Sequence, residues 1–138
     1  FFADIIKISA RSEKKISGIV EVNIVGSAQM KKINREYRGK DSDTDVLSFA
    51  WREEKTVKSD LLGQIYLCQS RVKKQAKEFK VTEKEEMTRM FVHGLLHLVG
   101  YDHGVSKDAK KMFALQEKIL NLYKVSTNCH FESISRLK

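Results

Sequence analysis

The segment HGLLHLVGYDH, residues 93–103, is the stretch around which we expect the rest of the chain to fold. His93 and His97 are four residues apart, so on a helix they project from one face, one turn apart. The surrounding residues, Met90 to Val99, are otherwise apolar on every side, which is typical of a buried helix. Two imidazoles there need polar partners, because an unpaired buried polar group costs on the order of 1–3 kcal/mol. A divalent metal ion would satisfy both. The alternatives are that the histidines are core residues satisfied without a metal, or that the metal is structural and not catalytic.

A third histidine follows directly after this helix. Gly100 can adopt the left-handed conformation that ends a helix, so the chain can turn back and bring His103 towards the other two. Three neutral imidazoles with one open coordination position are typical of a catalytic zinc site. We therefore predict one Zn²⁺ ion bound by His93, His97 and His103. The neighbouring Asp102 would orient a ligand imidazole or act as a base, although a turn-forming aspartate is the simpler alternative.

The same spacing, His-x-x-x-His-x-x-Gly-x-x-His, is also that of the metzincin peptidases. Those enzymes need a glutamate directly after the first histidine, as the general base that activates the zinc-bound water. This chain has Gly94 there, which cannot move a proton. A metzincin-like zinc metallopeptidase is therefore the alternative function and not the first interpretation.

Composition limits the class of protein. The chain has 138 residues, of which 41% are hydrophobic and 32% charged, so we expect one globular domain over 1–125 and a polar C-terminal tail over 126–138. The net charge of +8 favours a polyanionic partner, nucleic acid before an anionic membrane. No apolar run reaches the roughly 18–20 residues of a membrane span, and the N-terminus lacks a signal-peptide pattern. The two cysteines form no disulfide framework and suit a reducing compartment.

The hydrophobic pattern predicts an α/β (α+β) fold: a short mixed sheet of three or four strands packed with about four or five helices. The predicted strands cover 19–25, 46–51 and 61–68, and the predicted helices cover 1–12, 27–38, 70–79 and 82–99, with a last helix from Ser106. Residues 1–10 also alternate as a strand would. Ser27 and Thr82 are the expected helix caps, and the helix that carries His93 is expected to be central and buried. In the last helix, the residues at core spacing are Met112, Leu115, Ile119 and Leu122.

Four motifs in order resemble the YbeY family of bacterial and organellar endoribonucleases. They are NREYRGKD (34–41), TDVLSF (44–49), LGQI (62–65) and the histidine segment (93–103). The resemblance implies zinc binding by the three histidines, a functional role for Arg38, and metal-dependent cleavage of single-stranded RNA. It also implies a part in small-subunit ribosomal RNA maturation and ribosome quality control, possible contacts with ribosome-associated proteins, and a cytoplasmic or, in a eukaryote, organellar location. The chain departs from the usual family pattern at Ala50, usually proline, and Gln64, usually aspartate.

The remaining candidates concern phosphate and RNA contacts. The planar guanidinium of Arg38 could hold the phosphate oxygens that gather charge in the transition state. Exposed basic side chains would bind the RNA backbone if they line the cleft and are otherwise solvated; they are Lys31, Lys32, Arg35, Lys73, Lys74 and Lys77. A non-catalytic, metal-stabilised protein that binds ribosomal RNA or the ribosome is the third hypothesis.

Overall fold

The α+β class predicted from the sequence is confirmed. The computed structural model describes residues 1–51, 60–101 and 106–136, and within the last range it describes side chains for 108–126. The described residues form five helices and three strands in the order α1 (Phe2–Ser12), β1 (Ile19–Val25), α2 (Ser27–Arg38), β2 (Val46–Ala50), β3 (Leu61–Cys68), α3 (Gln69–Phe79), α4 (Glu83–Leu98) and α5 (Ser106–Arg136). The first ten residues are thus helical, which settles the ambiguity of their pattern.

The three strands form one mixed sheet in the order β1-β3-β2. β1 runs parallel to β3, with Val22 opposite Ile65, and β2 runs antiparallel to β3, with Ser48 opposite the same residue. β3 is the central strand, so both of its edges are paired, and helices contact it as well. Most of its residues are buried, and its sequence is correspondingly a nearly continuous apolar run. β2 is an edge strand, so one side of its backbone faces a cavity instead of another strand.

Helix α4 packs across one face of the sheet and also contacts α1, α3 and α5, which confirms the prediction of a central buried helix. Its core side chains, among them Phe91, Val92 and Leu95, are fully buried. Thr82 Oγ1 accepts a hydrogen bond from the backbone N–H of Glu85 at 3.1 Å, so the predicted cap is present. The helix ends at Leu98, and Gly100 then adopts a φ of +99°, as a chain that turns back requires.

Helix α2 covers part of the opposite face, where Met30 packs against Leu47 and Cys68. The prediction that Ser27 caps this helix is wrong, because Gly26 occupies the cap position and Ser27 is the first helical residue. The Ser27 hydroxyl instead donates to Asp43 Oδ2 at 2.7 Å and so ties the loop before β2 to the helix.

Helix α5 presents Met112 and Ile119 to the core as predicted, but Leu122 is exposed. At that end of the helix Tyr123 packs against the core instead. Gln116, one turn after Met112, is also buried. The backbone of α5 remains helical past residue 125, where the sequence predicts a separate tail, and the domain boundary itself stays a prediction. Across the part of the chain that the structure describes, no helix combines the length and apolarity needed to cross a bilayer.

Candidate metal centre

The two histidines of α4 meet at their Nε2 atoms. His93 Nε2 and His97 Nε2 are 3.1 Å apart, and the two rings are nearly perpendicular, at 80°. Two ligands of a tetrahedral zinc ion at the usual Zn–N distance would be separated by about 3.3 Å. The distance between the two Nε2 atoms therefore suits two ligands of one metal ion. It equally suits a hydrogen bond between the two rings when no metal ion is bound.

A buried glutamine from α5 sets the tautomer of one histidine. Nδ1 of His93 lies 2.9 Å from Oε1 of Gln116, whose residue is only 7% exposed. An amide oxygen accepts but does not donate, so Nδ1 carries the proton and the Nε2 lone pair points towards His97. Metal-binding imidazoles are usually held by such a partner on the second nitrogen. The donor chemistry of the pair thus fits a metal ion.

Sequence reasoning missed Gln116. A signal was present, since the glutamine lies four residues after Met112 and three before Ile119 on an otherwise apolar helix face. A polar residue at such a position is buried and must find a partner. The sequence does not indicate which element supplies that partner.

Gly94 has a structural role that explains why no glutamate follows His93. A Cβ atom at this position would lie 3.0 Å from Ser48 Oγ and 3.2 Å from methyl carbons of Ile65 and Val46. The Ser48 hydroxyl also donates to the carbonyl oxygen of Gly94 at 3.0 Å, so α4 and β2 are in direct contact here. A metzincin-type glutamate would require the helix to move away from the sheet.

A cavity of about 610 Å³ lies between α4 and the edge strand β2. Its wall includes His93, His97, the residues of β2 and Arg38, the last helical residue of α2. Gly39 follows in the left-handed conformation, with φ +68°, and turns the chain away directly after the arginine. The structure therefore brings Arg38, which is distant in sequence, to the same cavity as the two histidines.

The loop before β2 forms another part of the wall and is held by side-chain contacts. Asp43 accepts from Ser27 and forms an ion pair with Arg71 at 3.1 Å, and both partners lower the pKa of its carboxyl, the serine contact having the larger effect. Asp45 Oδ1 accepts from the backbone N–H of Val46 at 2.8 Å. Asp45 thus stabilises the start of β2, in line with the structural role that its turn position suggests.

Tyr101, three residues after the end of α4, lines the same cavity. Its hydroxyl donates to Glu13 Oε2 at 2.6 Å. This hydrogen bond lowers the pKa of Glu13 and raises that of the tyrosine. The hydrogen bond ties Tyr101 to Glu13, the residue that follows α1.

Two predicted site residues, Asp102 and His103, lie outside the described residues. Within the ranges that are described, no third histidine, cysteine or carboxylate joins His93 and His97 in a metal-binding group. Zinc binding by three histidines and the role of Asp102 therefore stay predictions. The six basic residues singled out from the sequence are all exposed, and the lining of the cavity contains none of them.

Comparisons of the sequence and of the fold with known proteins point to one family. The family model described as "Endoribonuclease YbeY" matches residues 1–124. Proteins named Endoribonuclease YbeY include one from Ureaplasma urealyticum, 40% identical over 126 residues (91% of this chain, 79% of the relative), and one from Bacillus pumilus, 39% identical over 135 residues (91% and 81%). The solution structure of TM1509 from Thermotoga maritima superposes with a TM-score of 0.63 at 32% identity, covering 93% of this chain and 84% of that one. The chain therefore belongs to the endoribonuclease YbeY family.

Proposed function

We propose that this protein is a zinc-dependent endoribonuclease that cuts single-stranded RNA. We further propose that it acts in small-subunit ribosomal RNA maturation and ribosome quality control, alongside ribosome-associated proteins. Its place of action would be the cytoplasm, or an organelle if the source is eukaryotic. The observation that carries the proposal is the cavity in which Arg38 lies with His93 and His97, whose Nε2 atoms are 3.1 Å apart. Family membership adds the reaction class.

In this proposal His93, His97 and His103 hold one zinc ion. When bound, zinc supplies a Lewis acid that polarises a phosphoryl oxygen and lowers the pKa of bound water towards about 7. Gln116 keeps the proton of His93 on Nδ1, so that Nε2 is available as a donor.

The phosphate group is the part of the substrate that the other side chains recognise. Arg38 is exposed and lines the cavity, so its guanidinium is accessible to a phosphate bound there. Its two parallel N–H groups would bind the non-bridging oxygens as negative charge gathers on them. The attacking oxygen, from water or from the ribose 2′-hydroxyl, loses a proton as its bond to phosphorus forms, and the leaving oxygen gains one as the other P–O bond breaks. Asp102 is the proposed base or orienting residue.

Cleavage assays with matched variants test this function. Protein purified without added metal is expected to contain about one zinc ion per chain, and chelator-stripped protein is expected to cut single-stranded RNA only after zinc is returned. His97→Ala should abolish cleavage. The control is His130→Ala, which removes a histidine of the predicted polar tail and should leave cleavage unchanged. Cleavage that survives His97→Ala would indicate a contaminating nuclease. Salt-sensitive RNA binding without any cleavage would favour the non-catalytic binder.

A further inference from the structure

A second groove lies on the α2 face of the sheet, and four of its six lining residues are aromatic. It has a volume of about 410 Å³, within the roughly 300–1,000 Å³ of small-molecule pockets. Its lining residues come from α2, from β2 and the residue after it, and from β3; they are Tyr37, Phe49, Ala50, Trp51, Gln64 and Tyr66. No step of the proposed mechanism uses them.

The aromatic rings of this groove are ordered by contacts with one another. Phe49 packs edge-to-face against Tyr37, with ring centroids 5.3 Å apart, and against Tyr66, with centroids 5.9 Å apart. Phe49 and Tyr66 also contact the buried cluster under α2, so this pair is anchored in the fold. Tyr37 is 69% exposed and Trp51 is 44% exposed. Phe49 thus supports the ring of Tyr37, and both Tyr37 and Trp51 remain accessible to solvent.

The groove is continuous with the cavity that contains the histidines. Phe49 and Ala50 line both, and Tyr37 immediately precedes Arg38, which lies in the cavity. A polymer that crosses the edge strand β2 at these residues passes from the arginine and the histidine pair directly to the aromatic rings. A polymer bound in the cavity would therefore place its next unit in the groove.

We propose that the aromatic groove binds an unpaired base of the RNA strand, next to the phosphate held at the histidine cavity, by stacking on Tyr37 or Trp51. The inference rests on the proposed ribonuclease function and adds to it a nucleotide subsite. Single-stranded RNA offers free base faces, which aromatic side chains bind with little dependence on sequence. Bases in a duplex are already stacked on their neighbours, so such a subsite would also provide a preference for single strands.

The polar residue of the groove is Gln64. Its Nε2 donates to Glu21 Oε2 on the neighbouring strand at 2.9 Å, which orients the amide. The neutral amide itself adds no negative charge to the lining of the groove, and the Glu21 carboxylate that holds it is not part of that lining. The departure from the usual family residue is therefore compatible with a nucleotide in the groove.

Intrinsic fluorescence reports directly on this site, because Trp51 is the only tryptophan of the chain. The full chain, as purified, is titrated with a short 2′-O-methyl oligoribonucleotide whose intactness is checked afterwards. The expected result is a saturable change in tryptophan emission. The same titration with an abasic oligonucleotide of equal length and charge, or with a duplex, should leave the emission nearly unchanged.

Variants of an exposed ring separate stacking from folding. Tyr37→Ala is expected to raise the dissociation constant of the oligoribonucleotide about 5- to 100-fold, the range for loss of one base–aromatic stack. Tyr37→Phe keeps the ring and should restore affinity. The matched control is Phe79→Ala, which removes a phenylalanine that is 64% exposed on α3 and should leave affinity unchanged.

The outcomes distinguish this inference from the function on which it rests. Oligoribonucleotide binding with constant Trp51 emission and an unchanged dissociation constant in Tyr37→Ala would overturn the subsite and leave the nuclease intact; the groove would then serve another partner, such as a protein. Failure of the unmodified chain to bind or cut single-stranded RNA would instead overturn the proposed function, and the subsite with it.

Discussion

The side-chain amide of Gln116, on α5, lies 2.9 Å from Nδ1 of His93, on α4, and this contact joins the C-terminal helix to the candidate metal centre. The two residues are 23 positions apart in the chain. The contact gives α5 a function beyond covering the core, because it selects the tautomer in which His93 Nε2 can bind a metal.

Replacing Gln116 is expected to weaken metal binding more than it destabilises the fold. Gln116→Leu keeps most of the side-chain volume but removes the acceptor, and we expect a zinc affinity about 10- to 100-fold lower. The measurement is competition with a chromogenic chelator, which reports binding independently of cleavage. Gln116→Glu retains an acceptor oxygen and should preserve affinity, and exposed Lys118→Ala is the control on the same helix. Equal zinc affinity in Gln116→Leu and the unmodified chain would show that the contact serves packing alone.

Arg38 is expected to contribute to the rate of RNA cleavage and not to the stability of the folded protein, because its side chain is exposed at the cavity. Arg38→Ala should lower the cleavage rate about 10²- to 10³-fold, as removal of one transition-state contact does, with an unchanged melting temperature. Arg38→Lys keeps the charge but loses the planar pair of donors, so it should recover only part of the rate. The measurement is single-turnover cleavage of a labelled RNA. Exposed Arg11→Ala, on α1, is the matched control, and a similar loss of rate there would assign the effect to general charge.

A side chain at Gly94 is expected to destabilise the contact between α4 and β2. Gly94→Ala places a Cβ 3.0 Å from Ser48 Oγ and 3.2 Å from a methyl carbon of Ile65. Overpacking of this kind costs about 1–3 kcal/mol, more than the helix propensity gained from alanine. Thermal denaturation should therefore show a lower melting temperature. Gly26→Ala introduces a Cβ with no heavy atom within 4 Å and should have the smaller effect; equal effects of the two substitutions would contradict this account of the α4–β2 contact.

Glu86 is expected to make stability depend on pH. It is buried in α4, and its Oε1 has no hydrogen-bond partner among the described residues. Loss of hydration raises the pKa of this carboxyl above its ordinary value of 4.5, with Asp45 adding to the increase and Arg89 opposing it. The folded chain thus holds the proton more tightly than the unfolded chain, so the free energy of unfolding falls as pH rises through this range.

Glu86→Gln removes this titration. We expect the variant to gain stability relative to the unmodified chain near neutral pH, and the difference to shrink as pH falls towards 4.5. Urea denaturation at several pH values is the measurement. Glu85→Gln, on the exposed side of the same turn, is the matched control and should not gain stability, because it removes a carboxylate near the positive end of the helix dipole. A stability difference for Glu86→Gln that does not vary with pH would show that the carboxyl is not the cause.

Local sequence pattern was sufficient to predict most elements of this chain. The alternation of Ile19–Val25, the Thr82 cap and the apolar helix around His93 and His97 each depend on residues a few positions apart, and each is found as predicted. Hydrogen bonds within a helix and the alternation of a strand have short fixed periods, so the sequence records them directly. One exception is Ser27, whose hydroxyl donates to Asp43 in a distant loop and does not cap its own helix. Another is Leu122, which is exposed although its spacing predicts a core residue.

Contacts between distant residues were decided only by the tertiary structure. The sequence by itself determined that His93 and His97 share one helix face, but not that Gln116 would meet that face or that Arg38 would reach the same cavity. It also did not indicate that Tyr37 and Phe49 would join in one aromatic groove. These proximities depend on the order β1-β3-β2 and on how the helices cover the two faces of the sheet. They arise from the burial of whole faces, a property to which every element contributes and which no single segment encodes.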